Sequence, residues 1–162
     1  MPRTMTSLVL HGGPLRIWSA LTDPDHRRAW SPLVRLDNPS SLGDTECTFP
    51  IRAITWPIRT PARVDQFDKP HAFAWSCGIP YLLTFEERYE LAGDGGGTKV
   101  THSCTLCGAL SLPFAAVMLR RLHFLMVEAD DRLGTYLRWR EGQPARGINR
   151  QRVSSRYGRK TR

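Results

Sequence analysis

The chain lacks any apolar run approaching the roughly 18 residues that a membrane-spanning helix requires. Its N-terminal stretch offers only Leu8-Val9-Leu10, too short for the apolar core of a signal peptide. A cytoplasmic location is therefore expected. Serine-nucleophile motifs, glycine-rich phosphate loops and paired catalytic carboxylates are missing, so the motif-bearing hydrolases and nucleotide-binding enzymes find no support. Internal repeats are absent as well. Cysteine is sparse, at four residues, and outside an oxidising compartment these are expected to be free thiols. Cys104-x-x-Cys107 has neither a second cysteine pair nor a spaced histidine pair to complete a metal site. On a strand, residues three apart face opposite sides and cannot share an ion. No metal and no cofactor are expected, and the cysteines read as small buried hydrophobes.

Acidic side chains are the scarcer charge, 15 against 23 Lys and Arg, and the imbalance is local. From Arg140 onward eight basic residues and Glu141 account for +7 of the total +8, leaving +1 for residues 1–139. The expected organisation is one nearly neutral domain over residues 1–140 and a basic tail over 141–162. The tail is rich in Arg, Gly, Ser and Gln, with too few apolar groups to offset the entropy of ordering, so disorder is expected there. A solvated tail without a partner, weak contact with an anionic membrane, and weak contact with RNA are its three readings. Dispersed arginines with only Tyr157 for stacking make a poor sequence-specific nucleic-acid reader.

What the chain does have is one long amphipathic segment, residues 113–139. Phe114, Val117, Met118, Leu122, Leu125, Met126, Ala129, Leu133, Tyr136 and Leu137 recur in steps of three and four, the stripe of a helix. Ser111 suits its N-cap and Pro113 its first turn. Such a helix is about 40 Å long and needs a partner surface.

The preceding chain supplies strands. Residues 6–11 read as a first strand, ended by Gly12-Gly13-Pro14. Two short helices follow, residues 15–21 and about 23–30, the second capped by Asp23. From residue 33 to 110, turn signals at regular intervals separate short runs of Val, Ile, Thr and aromatic residues, the pattern of an antiparallel meander. Pro57 and Pro61 cannot donate ladder hydrogen bonds, so residues 54–64 are expected to be irregular or an edge. The fold class expected is α+β, a curved antiparallel sheet wrapped around the last helix with an apolar pocket between them.

The clearest hairpin joins residues 81–91 to 98–106 through a turn at 93–97. Alternation turns Leu83, Phe85, Glu87, Tyr89 and Leu91 inward, together with Val100, His102, Cys104 and Leu106. If Leu91 stands opposite Thr98, Glu87 stands opposite His102. A carboxylate and an imidazole in an apolar cavity could then act as a general acid–base pair, and Tyr89 could bond a ligand oxygen. Equally, the two could be a satisfied polar pair that fixes register, or a bulge could turn both outward. His26 and His71 read as exposed, and His123 as facing either the cavity mouth or solvent. Trp30, Phe73, Trp75, Phe85, Tyr89, Val100 and Phe114 are the pocket candidates from the sheet side and its rim. Met118, Leu122, Leu125 and Met126 would close it from the helix, although each ring could instead fill the core.

Pro14-Leu-Arg-Ile-Trp18-Ser-Ala-Leu-Thr-Asp23-Pro-Asp-His26, followed by Trp30-Ser-Pro32, resembles the N-terminal signature of the polyketide cyclase/dehydratase group of the START-like (SRPBCC) superfamily. Leu42-Gly43-Asp44-Thr45, Phe73-Ala-Trp75 and Gly97-Thr98-Lys-Val100-Thr-His102 resemble that group's recurrent stretches, and the likeness spans about residues 5–139. His11-Gly12-Gly13 departs from the apolar-plus-alanine pattern usual in the group. The resemblance implies a helix-grip fold with an internal cavity for an apolar or aromatic small molecule: a lipid, a quinone or a polyketide-like compound. It carries over no catalytic residue. Binding of such a ligand is the leading expectation, with a cyclase/dehydratase enzyme using Glu87 and His102 as the alternative. A weaker third follows START-like relatives that bind ubiquinone or serve as chaperone cofactors.

Overall fold

The computed structural model describes residues 1–31, 34–37, 41–49 and 58–141. Of the expected tail over 141–162, Glu141 closes the last helix and residues 142–162 lie outside the described residues, as do the Ile54 to Pro57 part of the expected irregular stretch and the side chain of Phe114. In chain order the elements are β1 (Arg3–Leu10), α1 (Pro14–Thr22), α2 (Pro24–Trp30), β2 (Arg35–Asp37), β3 (Gly43–Phe49), β4 (Ile58–Asp68), β5 (Ala72–Ile79), β6 (Leu83–Asp94), β7 (Gly97–Cys107) and α3 (Ser111–Glu141). The seven strands form one antiparallel sheet, ordered β1-β7-β6-β5-β4-β3-β2. Consecutive strands pair as a meander, and β1 is carried to the far edge, beside β7, by the two short helices.

Local chemistry sets the helix starts. Pro14 and Pro24 occupy first turns, where a missing N–H costs nothing. Asp23 accepts the backbone N–H groups of Asp25 and His26, capping α2 as its sequence position suggests. The helix α3 begins at Ser111, two residues earlier than the periodicity indicates. There the Ser111 hydroxyl donates to the Gly108 carbonyl at 2.7 Å.

The stripe on α3 is narrower than expected. Met126, Ala129, Leu133 and Leu137 are buried, and Met118, Leu122 and Leu125 are partly so, but Val117 is 75% exposed. Val117 precedes Leu133 by sixteen residues, which places it about 160° round the helix. Counting in threes and fours drifts off the face over that distance. Between the buried apolar positions stands Asp130, a carboxylate on the inner side of the helix.

Within the sheet, β4 runs between β3 and β5, so residues 58–64 are regular rather than irregular. Pro61 pairs across from Glu46 but lies just beyond the β4–β5 ladder, which ends at the pair Ala62 and Cys77. The proline therefore sits at a local edge inside an internal strand, where its missing N–H breaks no ladder bond to β5. A register shift between Val64 and Gln66 bends the same strand. Trp18 of α1 packs edge-on against Phe67 and Phe73, at ring separations of 5.1 and 6.2 Å, and ties the short helices to the sheet.

Candidate functional site

The β6–β7 hairpin turns through only two residues, Gly95 and Gly96, with Asp94 opposite Gly97. Gly95 has φ 43°, the left-handed conformation that a two-residue hairpin turn uses. This tight closure moves the register by two residues from the one counted in the sequence. Tyr89, not Glu87, stands opposite His102, and Glu87 stands opposite Cys104. A shift of two preserves the faces, so the inward set stays inward, and Glu87 still reaches His102 along the diagonal.

The outcome is a buried chain of alternating charges. Glu87 Oε1 accepts from His102 Nε2 and from the Tyr89 hydroxyl, both at 3.0 Å. Its Oε2 accepts from Arg27 Nη2 at 2.7 Å and from the Trp75 indole N–H at 2.5 Å. His102 Nδ1 lies 3.0 Å from Asp130 Oδ1, and the Thr6 hydroxyl donates to Asp130 Oδ2 at 2.5 Å. Five elements, β1, α2, β6, β7 and α3, thus meet in one network, with Trp75 of β5 as a sixth. Arg27 lies 5.8–5.9 Å from the ring centroids of Phe73, Trp75 and Tyr89. Its Nε has no partner among the described residues.

Each charge is held by its neighbours. Burial pushes the Glu87 carboxyl up, but the Arg27 guanidinium and the His102 bonds outweigh it and hold the group at about 2. Burial likewise disfavours a charged His102, yet hydrogen bonds to Asp130, Cys104 and Glu87 keep its value well above 6.5. The imidazolium form, with both ring nitrogens donating, fits the two flanking carboxylates. Burial, and then the Glu87 charge, push the Tyr89 hydroxyl well above 10. Cys104 rises to about 11 for the same leading reason, burial. Ligand atoms of Glu87, His102 and Cys104 lie within 4.8 Å of one another, but Glu87 already takes four donors and a cation there would sit beside a guanidinium.

A separate cavity of about 470 Å³ lies beside this network, towards the β5–β6 end of the sheet and beneath the first half of α3. Val34, Thr60, Cys77, Gly78, Leu83, Phe85 and Leu106 form its sheet side, and Met118, Leu122 and Leu125 its helix side. Thr60 brings the hydroxyl. The Cys77 thiol, hydrogen-bonded to the free thiol of Cys47 and buried, is pushed far up and stays protonated.

Of the pocket residues named from the sequence, Phe85, Met118, Leu122 and Leu125 line this cavity. Trp30, Phe73, Trp75, Tyr89, Val100 and Met126 do not: they are buried in the packed interior. Trp30 gives its N–H to the Ala20 carbonyl at 2.9 Å, and Trp75 and Tyr89 serve the charge network. Glu87 and His102 point inward but into packed side chains rather than open space. Trp75 is the partition, its ring 5.6 Å from Phe85 on the cavity side and its N–H on Glu87 behind. His123 and His71 are exposed, and His123 Nδ1 lies 3.0 Å from the Thr4 hydroxyl. His26 is half-buried against Arg140 and Tyr136.

Sequence reading missed Thr6, Arg27 and Asp130. Asp130 had a visible signal: it falls four residues after Met126 and three before Leu133, on the apolar stripe itself. Arg27 precedes Trp30 by three on α2, which puts it on the inner side of that helix.

No known protein-family profile matches the chain, and no curated protein matches it by sequence. Solved structures do. A protein from Mesorhizobium loti is 13% identical, with a TM-score of 0.69 over 85% of this chain and 97% of its own. An AHSA1-like protein from Aeromonas hydrophila is 12% identical, with a TM-score of 0.64 over 86% and 94%. DynU16, a protein of the dynemicin biosynthetic locus, is 16% identical, with a TM-score of 0.64 over 85% of this chain and 48% of its own. The fold is a helix grip. At these identities the likeness establishes the architecture, a curved antiparallel sheet with a long C-terminal helix. Within this helix grip the charge network crosses the middle of β6 and β7, and the cavity opens at the end that carries the β5–β6 turn. Among the described residues no helix is long and apolar enough to cross a membrane.

Proposed function

We propose that this helix-grip protein binds a small, largely apolar molecule in the cavity between Phe85 and Leu122. The observation that carries the reading is the cavity itself: about 470 Å³, with apolar walls and few polar groups, among them Thr60. That volume and lining are typical of small-molecule sites. Met118 gives the wall an adaptable side chain. DynU16 belongs to a biosynthetic locus, and an aromatic polyketide-like compound, a quinone or a lipid are the ligand classes that suit such walls. Mass spectrometry of a solvent extract from purified protein tests this directly. An apolar compound released in near-stoichiometric amount is the expected result. Failure of the purified protein to take up any apolar probe would count against the proposal.

Cyclase or dehydratase chemistry at Glu87 and His102 is the weaker reading. It requires Trp75 to move aside, because that side chain stands between the pair and the cavity. The network instead suits a strut that joins the short helices, the sheet and α3.

A further inference from the structure

The turn between β5 and β6 meets the loop between β7 and α3 at the cavity end of the sheet. Ala109 N–H donates to the Tyr81 carbonyl at 2.8 Å, and Leu110 N–H to the Leu82 carbonyl at 2.9 Å. Gly78 and Leu83, which bracket the turn, line the cavity. The turn itself closes with Leu82 N–H on the Ile79 carbonyl at 3.2 Å, Pro80 in its second position and Tyr81 in its third. Tyr81 has φ 65°, so this is the arrangement of a type II turn with tyrosine where glycine is the usual occupant. Backbone strain is thus spent on holding an aromatic ring out in solvent, 94% exposed.

Among the described residues of the two segments that meet here, the exposed side chains are of one kind. Ile79, Leu82 and Leu110 are exposed at this tip, and α3, which starts one residue after Leu110, exposes Val117 and Phe124 on its outer side. Residues 78–83 and 108–111 contain no charged side chain. Along residues 115–125 the only formal charges are Arg120 and Arg121, both exposed. Exposed apolar groups, a free tyrosine and arginines with no acid among them match an anionic bilayer surface. Tyrosine settles at headgroup level, aliphatic groups enter below it, and arginine meets anionic lipid. A bilayer also receives such side chains without a matching pocket, which a protein partner must supply.

We propose that this tip, residues 79–82 with Ala109, Leu110 and the outer face of the first half of α3, docks on an anionic lipid bilayer. The docking stands whether or not the cavity holds a ligand. It would bring the cavity end of the molecule to the membrane.

The experiment is co-sedimentation of the full chain with phosphatidylcholine vesicles made with and without phosphatidylglycerol, at low and high salt. Wild type is expected to partition onto the phosphatidylglycerol vesicles, less so at high salt. Tyr81→Gly suits the turn and removes only the ring, so its Tm should hold while its partition falls about fivefold or more. Arg120→Gln with Arg121→Gln should cost about fivefold per arginine at low salt. The basic tail is present in every variant. If Tyr81→Gly partitions like wild type, the tail carries vesicle binding and the proposal fails. It fails equally if wild type stays in solution with both vesicles. Leu122→Trp, which fills the cavity, should leave partition unchanged, so loss of ligand binding and loss of docking are told apart.

Discussion

The Tyr89 ring lies flat on the His102 imidazole, 4.2 Å between centroids and 18° between planes, and both reach the same Glu87 oxygen. This stack follows from the register that the two-residue glycine turn sets. Opposed residues on neighbouring strands lie side by side, so the rings cover each other, while Glu87 is met on the diagonal. A cationic imidazole under a phenol ring is favourable in its own right. The site is therefore closed by its own side chains.

Breaking the network from its centre should be costly. Glu87→Gln leaves the Arg27 guanidinium buried without its counter-charge, and a loss of about 3–5 kcal/mol in urea unfolding is expected. Adding Arg27→Met removes the orphaned charge and should recover part of the loss, so the two effects are not additive. A single variant as stable as wild type would show that the pair carries no net coupling.

Stability should depend on pH from both sides. Glu87 is held down to about 2, so its contribution is complete above its ordinary 4.5 and is lost as pH falls towards 2. His102 is held well above 6.5, so its contribution is complete below 6.5 and is lost as pH rises through the raised folded value. The urea midpoint should accordingly be highest between pH 4.5 and 6.5. His102→Gln should remove the decline on the alkaline side while leaving the acid limb. A midpoint that keeps climbing above pH 6.5 would contradict the assignment.

Filling the cavity should abolish binding without unfolding the protein. Leu122→Trp projects a ring into the open volume, and uptake of an apolar fluorescent probe should fall about tenfold or more. Extra volume is tolerated where space exists, so stability should change by less than about 1 kcal/mol. Unaltered probe binding would place the ligand elsewhere.

The two faces of α3 should respond differently to the same kind of change. Leu133→Ala empties a fully buried position and should cost about 2–5 kcal/mol. Val117→Ala, on the exposed side, should stay within about 0.5 kcal/mol. Thermal or urea unfolding of the two variants side by side checks the assignment of faces.

A backbone test concerns the loop that receives the β5–β6 turn. Gly108 has φ 102°, and a Cβ there would sit 2.6 Å from the Leu82 carbonyl oxygen. Gly108→Ala is expected to cost about 2 kcal/mol or more through strain and displacement of that contact. A neutral effect on Tm would mean the two segments are not in the contact described.

Period, punctuation and alternation are local properties, and they were enough for the element order, for Asp23 as a cap and for the inward faces of β6 and β7. A strand's faces depend only on parity, so even a misplaced turn left Glu87 and His102 pointing inward. Register is different: whether residues 93–97 form a long loop or a two-residue turn is decided by twist and closure of the whole hairpin, which no residue carries alone. The partners of Glu87 were likewise beyond local reading. Arg27 lies 60 residues away in sequence, and Asp130 meets His102 across 28. Only packing of α2 and α3 onto the sheet brings them together. The same packing settled which aromatics became core and which became wall. Periodicity can say that Trp75 and Phe85 face inward, but how far α3 stands off the sheet decides that Phe85 borders open space and Trp75 does not.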